Sequence, residues 1–110
     1  MTPPLPVMQG TLDVLVLRSL RAGAQHGYGI TSWIRQCTEG ELEVEDGALY
    51  QALHRLEHRG WVQAEWGVTE NNRRARYYRL TAAGRRELRS ADAAWRRYAR
   101  AVFRVLDFQE

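Results

Sequence analysis

Three apolar runs at helical spacing, a change to strict alternation just after Gly60, and a final stripe repeating every seven residues predict an α+β, mainly α chain with one long C-terminal helix. At 110 residues the chain is large enough for one modest core, so a single domain is expected. No apolar run approaches the ~20 residues of a membrane span, and the opening MTPPLPVM has neither the basic region nor the apolar core of a secretory signal. A cytoplasmic protein with no membrane partner is the expectation. Cys37 is the single cysteine, which excludes an intrachain disulfide and a cysteine-based zinc cluster; its place on an apolar helix face reads as a core thiol. All the basic side chains are arginines, and they are unevenly spread. Residues 1–60 hold five against seven acids, a net of −2, whereas residues 61–110 hold eleven against six, a net of +5.

Residues 1–9 contain all three prolines and no periodicity, and read as a flexible arm. In TLDVLVLRSLRAG, Leu12, Leu15, Val16 and Leu20 share one face while Val14 and Leu17 make the run apolar nearly all round, as suits the central helix of a core. Thr11 is its candidate N-cap and Gly23 its C-cap. After a turn at AGAQ, Ile30, Trp33, Ile34 and Cys37 mark a second helix ending near Gly40. Two glycines at its start suggest close backbone approach, and His26 reads as a capping or packing residue. An acidic linker, ELEVE, leads to the third helix, EDGALYQALHRLEHRGW, with Glu45 or Asp46 at its cap and Gly60 at its end.

Leu49, Ala52, Leu53 and Leu56 give that third helix its core face. Its other side carries Gly47, Gln51, His54 and His58 in a second stripe, flanked by Ala48, Tyr50 and Arg55. Small residues at the start, then a phenol, an amide, imidazoles and a guanidinium, suit a helix that meets base edges in a DNA major groove. Past Gly60, Val62, Ala64 and Trp66 alternate with Gln63 and Glu65. A polar tip follows, and RYYRL returns as a strand, so that residues 67–76 form the wing of a β-hairpin carrying Arg73, Arg74 and Arg76. A charged hairpin by itself is often only a solvated one. Three helices followed at once by a basic hairpin, however, is the order of a winged helix-turn-helix, whose wing lies along phosphates. That domain is assigned to residues 10–80.

Residues 81–110 form the last element, a helix capped by Thr81 and running to about Phe108, roughly 40 Å at 1.5 Å per residue. Leu88, Trp95 and Val102 recur every seven residues, with Ala99 on the adjoining side. Such a stripe needs a cover. A second copy of the helix makes a two-fold dimer, and folding back on its own domain is the competing arrangement.

QGTLDVLVLRSL, HGYGI, VEDGALYQALHRLEHRGWV and ENNRRARYYRLTAAG, in this order and spacing, resemble the PadR family of bacterial transcriptional regulators, in particular its short subfamily with a single C-terminal helix. The resemblance implies a dimeric repressor that binds an inverted-repeat operator in double-stranded DNA and is released by an effector or signal. It also implies that Tyr28 and Tyr50 are DNA-proximal tyrosines and that Arg73, Arg74 and Arg76 form the wing. Two positions depart from the family pattern. Ala48 stands where Ser or Thr is usual, and Gln51 stands where Pro is usual, so a hydroxyl is lost and an amide able to pair with adenine is gained. Some short members hold flat aromatic compounds between their long helices beside a tryptophan. Trp95 occupies that place, which implies a small aromatic effector, although a heptad aromatic also serves as plain dimer core.

No phosphate-binding glycine loop, nucleophile motif or cofactor fingerprint is present, so neither an enzyme nor a resident cofactor is expected. His54 and His58 are spaced as two metal ligands could be, but HRLEH is not the HExxH of a zinc hydrolase, and no metal site is expected. A metal-responsive regulator using this pair, and a winged-helix module that binds protein rather than DNA, are the alternatives. Modules of the second kind tend to lose positive charge from the wing and the third helix; this chain keeps its wing arginines, although its third helix is only weakly basic.

Overall fold

The computed structural model of the chain describes residues 3–7 and 10–110. Its elements are β1 (Leu5–Pro6), α1 (Leu12–Ser19), β2 (Gln25–His26), α2 (Gly27–Cys37), β3 (Leu42–Glu43), α3 (Asp46–His58), β4 (Val62–Val68), β5 (Arg74–Leu80) and α4 (Ala82–Leu106). The predicted α+β, mainly α winged helix-turn-helix with a long C-terminal helix is the observed fold. α1 is central and packs against α2, α3 and α4. Around it Val16, Leu17, Leu20, Ile30, Leu49, Leu53, Leu56 and Val62 are fully buried, each side chain contributing roughly 1.5–3 kcal/mol of apolar transfer.

α1 is shorter than its sequence pattern. The Ser19 hydroxyl donates to the Val16 carbonyl at 2.6 Å, and Leu20, not Gly23, is the C-cap. Thr11 holds the N-cap position without a side-chain capping bond. α2 begins as expected, with His26 at the N-cap and its Nδ1 accepting from the Gly29 N–H at 3.0 Å. Ile30 and Ile34 are buried, and Arg18 lies 5.4 Å over the half-buried Trp33 ring. The core-thiol reading of Cys37 is corrected: the cysteine is exposed, because it is the last residue of α2 and the buried face stops at Ile34.

Two strand pairings lie where the sequence suggests only arm, linker and turn. Leu5–Pro6 pairs in parallel with Leu42–Glu43, so part of the arm assigned to residues 1–9 is a strand; residues 1, 2, 8 and 9 of that arm lie outside the described residues. Gln25–His26 pairs antiparallel with Tyr77 and Tyr78, making a three-stranded sheet of order β2-β5-β4. The hairpin is longer in strand and shorter in tip than expected. Pairing runs from Val62↔Leu80 to Val68↔Arg74, and the Thr69 N–H closes the turn on the Arg73 carbonyl at 2.8 Å.

α3 buries its predicted face of Leu49, Ala52, Leu53 and Leu56. Glu45 occupies its N-cap position but makes no side-chain bond there. Its end is a Schellman turn: the Trp61 N–H reaches the Leu56 carbonyl at 3.0 Å and the Gly60 N–H the Glu57 carbonyl at 3.0 Å, around Gly60 at φ 76°. Thr81 starts α4, its Oγ1 accepting from the Gly84 N–H at 3.0 Å and donating to the Gly60 carbonyl at 2.7 Å. A Cβ on Gly84 would lie 1.9 Å from the Trp61 carbonyl, so only glycine lets α4 seat this closely on the entry to β4. Leu88, expected at the dimer or effector interface, is instead buried in the core of its own domain. The first turns of α4 therefore fold back on α1 and β5, and only the later part stands away. Among the described residues no helix is long and apolar enough to cross a membrane.

Candidate nucleic-acid interface

With its apolar half occupied, α3 leaves its polar stripe open. Gly47, Ala48, Gln51, His54 and His58 are all exposed, and a Cβ on Gly47 would meet nothing within 4 Å, so the first turn is bare. Tyr50, Gln51, His54 and Arg55 border a shallow groove along this stripe. Tyr28, on the first turn of α2, is 73% exposed and Tyr50 is 56% exposed. The two helices approach closely at residue 27, where a Cβ would stand 3.1 Å from the Tyr50 hydroxyl and 3.3 Å from Leu49 Cδ2. The N-terminus of α2, with its partial positive charge, favours an anion at the same place.

The wing faces these tyrosines across an open cleft of about 1220 Å³, which Tyr28, Tyr50, Trp66, Arg73 and Arg74 help to line. Arg73 sits on the tip. Arg74 lies 4.5 Å over the Trp66 ring, an exposed cation–π contact that steadies the guanidinium and leaves its charge unneutralised. In the sequence Trp66 reads only as part of the strand alternation, not as a site residue. It continues the alternation of Val62 and Ala64 beyond the part of the sheet that the helices cover, and 60% of it is exposed.

Arg55 and Arg76, read from the sequence as contacts to DNA, are already engaged within the domain. Arg55 Nη2 donates to Asp13 Oδ1 of α1 at 2.7 Å, and Arg76 Nη2 to Glu57 Oε2 of α3 at 3.1 Å. Both pairs are partly exposed and each contributes about 0–1 kcal/mol. Arg76 also lies 5.8 Å over the Tyr78 ring. Burial raises the Tyr78 phenol above its usual pKa, with Arg76 pulling the other way. His54 and His58 stand without a third His, Cys, Asp or Glu arranged with them to hold a metal, among the described residues.

On α4, Trp95, Ala99 and Val102 continue the stripe that Leu88 begins in the core. Trp95 Nε1 donates to Thr11 Oγ1 at 3.3 Å, and Thr11 itself has helical backbone angles (φ -98°, ψ -29°) in place of the extended conformation from which an N-cap side chain reaches back. Beyond it Tyr98, Phe103, Val105 and Leu106 are exposed, as are all the residues of the last turns.

A three-helix core, a paired hairpin with arginines at its tip and an open polar helix beside it define a winged-helix regulator of transcription. Residues 16–90 match the transcriptional regulator PadR-like family, and the chain belongs to it. Among solved structures it is similar to a transcriptional regulator from Clostridium thermocellum (28% identity, TM-score 0.79, covering 87% of this chain and 93% of the other). It is also similar to a PadR family regulator from Eggerthella lenta (31% identity, TM-score 0.76, covering 92% and 86%). A PadR family regulator from Clostridium difficile aligns at 25% identity with a TM-score of 0.74, over 88% of this chain and 99% of that one.

Proposed function

We propose that the chain acts as a homodimeric repressor on an inverted-repeat operator in double-stranded DNA. In this reading α3 enters the major groove, and Gln51, His54 and His58 meet base edges from its open stripe. Tyr28, Tyr50 and the N-terminus of α2 meet one stretch of phosphate, and Arg73 and Arg74 of the wing another. The single observation that carries the reading is the cleft itself, where two exposed tyrosines, a helix N-terminus and the free wing arginines face one another beside the polar stripe. A protein-binding winged helix has no need of a cation-lined cleft.

The open apolar part of α4 supports the dimer. Val102, Phe103, Val105 and Leu106 need a cover, and the same surface of a second copy supplies one under two-fold symmetry. Trp95, half-open beside this stripe, is the place where a small aromatic effector would insert and separate the two reading helices.

Two substitutions test the reading on duplexes selected from a random pool. Arg74→Ala is expected to weaken binding to every sequence alike and to lower the salt slope of log K by about 0.9. Gln51→Ala is expected to change preference at particular base pairs by ~1–3 kcal/mol while leaving the slope alone. Binding by the unaltered chain that depends on neither salt nor sequence would overturn the proposal.

A further inference from the structure

The open stripe of α3 is bordered on both sides by an ion pair. At 100° per residue, Arg55 lies roughly 70° to one side of the line through Gly47, Gln51, His54 and His58, and Glu57 roughly 90° to the other. Arg55 is held by Asp13 at 2.7 Å, and Glu57 holds Arg76 at 3.1 Å. One edge of the reading face is thus tied to α1 and the other to the wing. The two acids come from within the domain, 42 and 19 residues away from the arginines they engage.

Exposed pairs of this kind add little to stability, yet an acid beside a polyanion costs affinity for it. We infer that Asp13 and Glu57 are specificity-determining positioning residues: they keep Arg55 and Arg76 off DNA phosphates and so suppress binding that is independent of sequence. The inference rests on the DNA-binding reading above. A free arginine on a long side chain finds a phosphate on any duplex, especially while the protein slides. In a complex already seated on its bases, register decides which phosphates lie near, and the extra cation gains less. With both arginines engaged, general affinity falls to Arg73, Arg74 and the tyrosines, and the reading stripe between the pairs contributes sequence preference.

Asp13→Asn and Glu57→Gln remove each acid's charge at almost constant shape. The test measures binding to a random-sequence 30-base-pair duplex and to a duplex selected from a pool, each between about 50 and 200 mM salt. Each variant is expected to bind the random duplex more tightly and to steepen its salt slope by ~0.9, an additional loss of about 3.5-fold across that range. The ratio of selected to random affinity is expected to fall. Asp13→Glu should restore the original slope and ratio, and in an Arg55→Ala background Asp13→Asn should have no effect on either. Melting curves confirm that the variants fold.

An unchanged slope, an unchanged ratio, or an effect that persists in the Arg55→Ala background would overturn the role given to the acids. Should the unaltered chain bind neither duplex at any salt, the DNA-binding reading falls and this inference with it. Should it bind while the variants behave like it, only the inference falls.

Discussion

α3 and the later part of α4 each leave a face that the core does not bury, and the two faces are opposite in chemistry. On α3 the open side is small and polar: Gly47, Ala48, Gln51, His54 and His58. On α4 it is apolar: Val102, Phe103, Val105 and Leu106, with Val105 76% exposed. A face that hydrogen-bonds water at no cost tolerates exposure and gains from a partner only through specific pairing, whereas an apolar face gains from any dry cover. The first therefore suits a ligand that is read, and the second suits a permanent neighbour. One chain can carry both because the same core anchors both helices, through Leu53 and Leu56 on α3 and Leu88 on α4.

The contrast can be broken most severely on α4. Val102→Asp buries a charge in the proposed dimer seam, and the dimer is expected to weaken by at least 100-fold, with operator binding lost alongside; sedimentation equilibrium reads the first and a gel shift the second. An unchanged dimer would mean that the stripe is not the seam. Next in size is the buried side of α3. Leu53→Ala is expected to cost 2–5 kcal/mol in denaturant unfolding, because Leu53 is 1% exposed and its removal leaves a cavity. Gln51→Ala, two residues away on the open side, should leave the unfolding midpoint within about 0.5 kcal/mol while changing base preference. That pair of results would separate the two sides of one helix.

The smallest effect concerns Tyr78, whose burial behind the wing raises its phenol pKa. A raised folded value favours the neutral phenol, so its contribution is fully present below the unfolded pKa near 10 and is lost as pH rises through the folded one. Tyr78→Phe is expected to be nearly neutral at pH 7 and to flatten the fall in stability above pH 10. A fall equally steep in Tyr78→Phe would assign it to other groups.

Much of this was legible in the sequence where a single element carries its own signal. The spacing of Leu49, Ala52, Leu53 and Leu56 predicts the buried side of α3, and Thr81 and Gly60 mark ends that the structure keeps. What escaped depends on partners far along the chain. Two-residue strands have no period, so Leu5–Pro6 against Leu42–Glu43 and Gln25–His26 against β5 leave no local trace. The heptad of α4 is continuous through Leu88 and Val102, and nothing in it shows that the first lies in the domain core while the second is open. Arg55 and Arg76 look like free cations until Asp13 and Glu57 are brought to them. The open stripe of α3 and its near lack of charge are visible in the sequence; that it is fenced by two ion pairs is not.

The division of labour between α3 and α4 is tested most directly by footprinting a selected duplex with the purified chain while counting chains per duplex by mass. Two chains per duplex and two protected half-sites, one helical turn or a multiple of ~34 Å apart, are predicted, since in the proposed dimer α4 would set the separation at which two copies of α3 meet the groove. One chain per duplex, or protection without paired half-sites, would contradict it.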